Sequence, residues 1–136
     1  MPKEETTPSE SEWAVMEILW EEENCLTSAE IIEKLQGSMA SKMVRVLLNR
    51  LYKKKIIDYV SDKKDARVYR YFPLKSREKC LQEKSRRFAD SYFSGSGANA
   101  FAALLRNITL TEEQIQELEG IIEENKGKHS EGRRKH

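Results

Sequence analysis

The sequence predicts a mainly α-helical chain with one small antiparallel β-hairpin near its middle. Apolar residues recur three and four positions apart through most of the chain, which favours helices. Two short segments, residues 56–60 and 67–73, are rich in β-branched and aromatic residues and flank a polar turn. A length of 136 residues is enough for one domain or two small ones.

Two helices are predicted in the first 36 residues. A serine at position 9 or 11 can cap the first, in which Trp13 and Trp20 share one apolar stripe that we assign to the core. Thr27 and Glu30 have the spacing of a capping box and open a short second helix. Gly37 ends that helix.

A third helix, predicted over residues 38–55, has an apolar side and a basic side. The apolar residues recur at helical spacing and predict a buried face. Basic and amide side chains lie opposite, as expected of a helix that enters a nucleic-acid groove. The apolar set is Val44, Leu47, Leu48 and Leu51, and the polar set is Lys42, Arg45, Asn49 and the lysines at 53–55.

Charge is strongly polarised along the chain, although the net charge is only +1. Residues 1–33 carry a net charge of −9, and residues 34–75 carry +9 from twelve bases and three acids. Local positive potential attracts phosphates, so the segment with the third helix and the hairpin is the predicted polyanion-binding part.

Three helices followed by a hairpin is the order of a winged helix-turn-helix, in which the third helix enters the major groove and the hairpin is the wing. We therefore predict a DNA-binding domain over residues 1–75. Arg45 can pair with guanine and Asn49 with adenine, whereas Lys53 and Lys54 suit the phosphate backbone. The predicted DNA-binding set is Ser41, Lys42, Met43, Arg45, Val46, Asn49, Arg50, Lys53, Lys54, Lys63, Lys64 and Arg67.

Two alternatives stay open for this region. Arg50 can bind phosphate or pair with an acid such as Glu30. The whole winged unit can also serve protein–protein contact or RNA binding without sequence-specific DNA readout, because fold alone does not settle function.

The second half predicts three more helices and a polar tail. Residues 76–125 are too few to bury their apolar faces alone, so we predict a helical dimerisation domain that suits a palindromic operator. Residues 126–136 are predicted to be a disordered tail. The predicted dimerisation set is Leu81, Phe88, Tyr92, Phe101, Leu104, Leu105, Ile115, Leu118 and Ile122.

Several classes of function are disfavoured. The chain has no phosphate-binding glycine loop, no HExxH motif and no clustered histidines or cysteines, so we predict no catalytic residue, metal or cofactor. Cys25 and Cys80 lie far apart in unrelated contexts. No apolar run is long enough to span a membrane and the N-terminus is no signal peptide, which gives a cytoplasmic expectation.

The sequence resembles the penicillinase-repressor family, also called BlaI/MecI/CopY. The pattern of the first helix, with both Trp13 and Trp20, is quite specific. The resemblance implies a dimeric bacterial repressor that binds palindromic operators through winged helices. It rests on residues 9–20, 26–32, 44–51, 68–73 and 110–118.

Departures from the family pattern fall in the third helix. Met43 and Val46 stand where the family usually has threonine, so they can contact a thymine methyl but cannot donate hydrogen bonds. This predicts an operator different from the family's usual one. Lys55 stands where the family commonly has a helix-ending glycine.

The resemblance also bears on induction. The family's copper branch has CxC motifs near the C-terminus, which this chain lacks because no cysteine follows Cys80. The β-lactam branch is cut at an Asn-Phe bond, whereas this chain has Asn99-Ala100-Phe101. Cutting by a sensor-linked protease within residues 98–105 is therefore a hypothesis.

Overall fold

The chain forms six helices and three short strands within residues 6–134, the part that the computed structural model describes, with side chains described to residue 128. The predicted class, mainly α with a small β wing, is confirmed. The elements are α1 (Glu10–Glu21), β1 (Leu26–Thr27), α2 (Ser28–Lys34), α3 (Ser41–Lys53), β2 (Ile57–Ser61), β3 (Tyr69–Pro73), α4 (Arg77–Phe93), α5 (Gly97–Arg106) and α6 (Glu112–Arg134).

Reciprocal capping boxes start the first two helices. The Glu12 backbone N–H donates to Ser9 Oγ at 3.2 Å, and Glu12 Oε1 accepts from the Ser9 backbone N–H at 2.9 Å. Thr27 and Glu30 repeat the pattern at 3.2 and 3.0 Å. The predicted capping box at Thr27 is therefore confirmed, and Ser9 rather than Ser11 caps α1.

The hairpin belongs to a three-stranded antiparallel sheet in the order β1-β3-β2. The predicted strands are present, but the first is shifted by one residue to Ile57–Ser61 and the second is shortened to Tyr69–Pro73. Leu26 pairs with Tyr71 to add β1, a two-residue strand that is too short to leave a periodic signal in the sequence. This strand joins the wing to the segment that enters α2.

The core lies within the first three helices and the sheet. The predicted apolar side of α3 is buried, with each of its four residues at most 2% exposed. These residues pack with apolar side chains of α1, α2 and the strands. The core cluster is Val15, Met16, Leu19, Leu26, Ile31, Val44, Leu47, Leu48, Leu51, Ile56 and Ile57.

A left-handed residue ends α3. The Lys55 backbone N–H donates to the Tyr52 carbonyl and the Ile56 N–H donates to the Leu51 carbonyl, both at 3.0 Å. Leu51 and Ile56 are fully buried, so the turn has the hydrogen bonds and the apolar contact of a Schellman motif. Lys55 has φ +63°, a conformation that glycine adopts without strain and lysine does not.

The last three helices bury little within one chain. Trp20 Nε1 on α1 donates to the Lys75 carbonyl at 2.9 Å, and this bond holds the start of α4 against the first half of the chain. Only Cys80, Ala89 and Ala100 are buried apolar residues in the described part of α4–α6.

Helix α6 extends beyond its predicted end. A disordered tail was expected from residue 126, but the helix continues through Arg134, and only residues 135–136 of that tail lie outside the described range. Lys126 pairs with Glu123 one turn earlier at 3.1 Å, which supports the helix where the tail was expected to begin.

Lys55→Gly is expected to raise the free energy of unfolding by about 1 kcal/mol, because it removes the strain of a left-handed lysine. Urea unfolding measures the change. Lys53→Gly is the matched control within the last helical turn and should lower the same quantity by about 1 kcal/mol. A loss of stability in Lys55→Gly would contradict the strain at residue 55.

Candidate nucleic-acid interface

The outer face of α3 is exposed along its whole length. Its N-cap, Ala40, makes no side-chain capping bond, and the helix begins at Ser41 rather than at residue 38. Ser38 lies outside because its hydroxyl donates back to the Leu35 carbonyl at 2.6 Å. Exposed residues of the predicted set on this helix are Ser41, Lys42, Met43, Arg45, Val46, Asn49, Arg50 and Lys53.

Apolar side chains interrupt the basic surface of α3. Met43 is 47% exposed and Val46 is 39% exposed, so neither side chain packs into the core. The two residues that depart from the family pattern therefore lie on the outer face. Methyl and thioether groups at these positions can contact apolar groups of a partner but cannot bond to phosphate.

Most bases of this region are electrostatically uncompensated. Among the described residues, no ion-pair partner is found for the bases of α3's outer face or for the two wing lysines. Unpaired surface cations create the local positive potential that attracts a polyanion. The bases concerned are Lys42, Arg45, Arg50, Lys53, Lys63 and Lys64.

Lys54 corrects the predicted set. Its Nζ lies 2.5 Å from Glu12 Oε1 and 3.3 Å from the Thr7 carbonyl, and the Glu12 side chain is only 2% exposed. A buried carboxylate needs a cation, so Lys54 is held inward at the junction of α1 and α3. We therefore remove Lys54 from the residues predicted to bind phosphate.

Glu30 pairs with Arg70, not with Arg50, so the alternative of an Arg50–Glu30 pair is wrong. Arg70 of β3 donates to Asp62 at 2.6 Å, and to Glu30 and the Cys25 carbonyl at 3.3 Å each. Because Asp62 lies in the wing turn and Glu30 in α2, one guanidinium ties the wing to the helical unit.

The wing turn is ordered by carboxylates. The Asp62 backbone N–H donates to the Val68 carbonyl at 2.8 Å and closes the turn. Hydrogen bonding from Arg70 holds the pKa of Asp62 below its usual range. Arg67 pairs with Asp65 at 3.2 Å and is 91% exposed, while Lys63 and Lys64 are exposed and unpaired within the described residues.

A groove of about 190 Å³ separates α3 from the sheet. Arg45 and Asn49 line its helical wall, so the two predicted base-reading residues share one surface. Tyr69 and Tyr71, two positions apart on β3, face this groove together, as the alternation of side chains along a strand requires. We call this space the tyrosine groove, after its lining residues Tyr52, Tyr59, Tyr69 and Tyr71.

Tyr52 and Tyr59 are absent from the predicted set. Tyr52 follows Arg45 by seven positions, two helical turns, and this spacing already puts it on the same stripe. Its place beside Tyr59, with ring centroids 5.2 Å apart, depends on how the sheet packs against α3. That packing is a tertiary contact without a local sequence signal.

The predicted dimerisation residues lie on the surface of the single chain. Tyr92 is 74% exposed and Leu104 is 53% exposed, while Leu105 and Leu118 are half-buried. Within the part of the chain that the structure describes, no side chain of α6 is buried. The exposed members of the set are Leu81, Phe88, Tyr92, Phe101, Leu104, Ile115 and Ile122.

Two other kinds of feature, a metal centre and a membrane span, are absent from the described residues. Over the described residues, no group of three or more histidine, cysteine or acidic side chains could hold a metal ion. In that same part of the chain, no helix combines the length and apolarity needed to cross a membrane.

The fold and its basic face define a winged helix-turn-helix protein of the nucleic-acid-binding class. The penicillinase repressor family model matches residues 8–124, so the chain belongs to that family. The family consists of transcriptional repressors, and the chain is therefore a DNA-binding repressor and not an enzyme.

Two relatives show how similar this sequence is to other members of the family. The methicillin resistance regulatory protein MecI of Mammaliicoccus sciuri is 29% identical over 116 residues, 84% of this chain and 91% of the relative. The penicillinase repressor of Bacillus licheniformis is 29% identical over 125 residues, 90% of this chain and 94% of the relative.

Solved structures include more distant likenesses. The YusO protein of Bacillus subtilis has a TM-score of 0.49 and 20% identity, covering 88% of this chain and 74% of that one. The MepR–DNA complex of S. aureus has a TM-score of 0.47 and 20% identity, covering 74% of this chain and 81% of that one.

Lys54→Met is expected to lower the free energy of unfolding by about 3 kcal/mol, because Glu12 then stays buried without its cation. Lys34→Met is the control, since the Lys34–Glu22 pair is exposed and its loss should cost under about 1 kcal/mol. Thermal and urea unfolding measure both. Equal stability of Lys54→Met and the wild type would return Lys54 to the surface set.

Proposed function

We propose that this chain is a homodimeric repressor of bacterial transcription that binds a palindromic operator through α3 and the wing. The observation that carries the proposal is the outer face of α3, which is exposed and basic while its opposite face is buried in the core. The relatives named above, a methicillin resistance regulator and a penicillinase repressor, support the same class. Its place of action is then the cytoplasm, where operator DNA lies.

Contacts are divided by chemistry. Arg45 and Asn49 share one wall of the tyrosine groove and are proposed to read bases, because their side chains form bidentate pairs with guanine and adenine. Lys53, Lys63 and Lys64 are proposed to bind phosphates, which adds affinity without sequence choice. Arg50 is unpaired among the described residues and joins the phosphate set.

Met43 and Val46 are proposed to contact thymine methyl groups. Both are exposed on the outer face of α3, where a hydroxyl would instead bond to base edges or phosphates. The operator should therefore differ from the sequence that relatives with threonine at these positions read.

Dimerisation is proposed through α4, α5 and α6. These helices leave large apolar side chains such as Tyr92, Leu104 and Ile122 exposed. A second copy could bury them, and a two-fold dimer would repeat the phosphate contacts on a second half-site.

Selection of bound sequences from a random duplex pool tests the function. The selected sites should be inverted repeats, because a two-fold dimer presents two copies of α3. Enrichment of single half-sites would contradict the dimer but not DNA binding. Absence of any enrichment, with binding to single-stranded RNA, would instead support the module without sequence-specific DNA readout.

The selected duplex then separates the two classes of contact. Arg45→Ala should weaken its binding by about 1–3 kcal/mol and relax base preference at one position. Lys63→Ala should weaken all duplexes alike and reduce the slope of affinity against salt by about 1. Equal, sequence-independent losses for both variants would refute base reading by Arg45.

Inactivation by a sensor-linked protease is proposed within residues 98–105. The structure places this segment in α5, where Leu104 is 53% exposed and Ala100 is buried. Incubation with an extract of induced cells should cut the chain there. An intact chain while the target genes are switched on would sink the proposal.

A further inference from the structure

Three phenol groups meet inside the tyrosine groove. Tyr59 lies at the centre, with its ring stacked on Tyr69 at 4.1 Å and tilted against Tyr52 at 5.2 Å between centroids. The neighbouring phenols of Tyr69 and Tyr52 raise the pKa of Tyr59, mainly by charge repulsion. The three rings are therefore close together, and the raised pKa keeps the Tyr59 hydroxyl protonated at neutral pH.

The outer two phenols are open to solvent. Tyr52 is 43% exposed and Tyr69 is 42% exposed, whereas Tyr59 is half-buried between them. Arg45 and Asn49 line the same groove, so neutral donors and one unpaired guanidinium border a single space. The phenol hydroxyls are donors that suit an anionic oxygen, while Arg45 and Asn49 on the helical wall are the residues proposed to read bases.

If α3 and the wing bind DNA as proposed, one sugar–phosphate strand passes beside this groove. A helix in the major groove and a wing over the adjacent minor groove straddle one sugar–phosphate strand, because one strand separates the two grooves. Tyr69 pairs with Ser61 at the last step of the β2–β3 ladder, directly before the wing turn. The groove thus lies between the helix and the part of the wing that are proposed to hold the duplex.

We propose that the tyrosine groove is a binding site for one phosphodiester of each operator half-site, with the hydroxyls of Tyr52 and Tyr69 as donors. This inference rests on the proposed function. Tyr59 is a positioning residue, because its ring contacts both donor rings and lies between them. The proposed donors are hydroxyls and not ammonium groups, which distinguishes this contact from the lysine contacts.

The test uses variants that remove one hydroxyl and no cation, so affinity and its salt dependence can be read separately. Tyr52→Phe and Tyr69→Phe keep the ring stack but remove one donor each, and each should weaken duplex binding about tenfold. The loss should be the same for selected and unrelated duplexes, and the salt slope should stay at the wild-type value because no cation is removed. Thr109→Val, which removes an exposed hydroxyl in the loop before α6, should bind as the wild type does.

Methylphosphonate duplexes locate the phosphodiester. Phosphates are neutralised one at a time. At one position in each half-site, neutralisation should lower the affinity of the wild type but leave the affinity of Tyr69→Phe unchanged. If the loss of affinity from Tyr69→Phe adds to the loss from neutralisation at every phosphate, the proposed site is overturned. Thermal unfolding of each phenylalanine variant shows whether the winged unit stays folded.

The failures of the two proposals differ in outcome. If both phenylalanine variants bind like the wild type while Lys63→Ala is weakened, the groove proposal fails and the DNA-binding function stands. If the wild type itself binds no duplex, the function fails. If inorganic phosphate shifts the tyrosine NMR signals but the phenylalanine variants keep full duplex affinity, the groove serves a free anion and the proposal is overturned.

Discussion

The burial of one side of α3 is the constraint on which the rest of the molecule depends. Val44, Leu47 and Leu51 are at most 1% exposed, so the rotation of this helix about its own axis is fixed by the core. Fixing that rotation also fixes which side chains face outward. Arg45 and Asn49 therefore owe their exposure to the apolar residues behind them, and the same helix contributes to stability and to the proposed DNA-binding surface.

Polar contacts join the core in holding the wing to this helical unit, since Ile57 of β2 is itself a core residue. Arg70 bonds at once to the wing turn through Asp62 and to α2 through Glu30. Beside these contacts, the sheet places the tyrosine groove between α3 and the wing turn. The second half of the chain adds few buried apolar residues of its own in the described range. For this reason we propose that a second copy of the chain covers its exposed apolar faces.

Local patterns made much of this predictable from sequence. The capping box at Thr27 and Glu30, and the reciprocal bonds of Thr111 and Gln114 at 2.9 and 3.1 Å, depend on residues three positions apart. Long-range contacts were not predictable. Lys54 meets Glu12 from 42 positions away and turns a predicted phosphate contact into an internal ion pair. The tyrosine groove likewise needs the sheet and α3 in place before its rings meet.

A structure of the dimer bound to its selected duplex tests the central claim most directly. Our account predicts α3 in the major groove, with Arg45 or Asn49 within hydrogen-bonding distance of base edges, and a phosphate in the tyrosine groove of each protomer. A complex in which α3 lies outside the groove, or in which its outer face contacts no DNA, would contradict it.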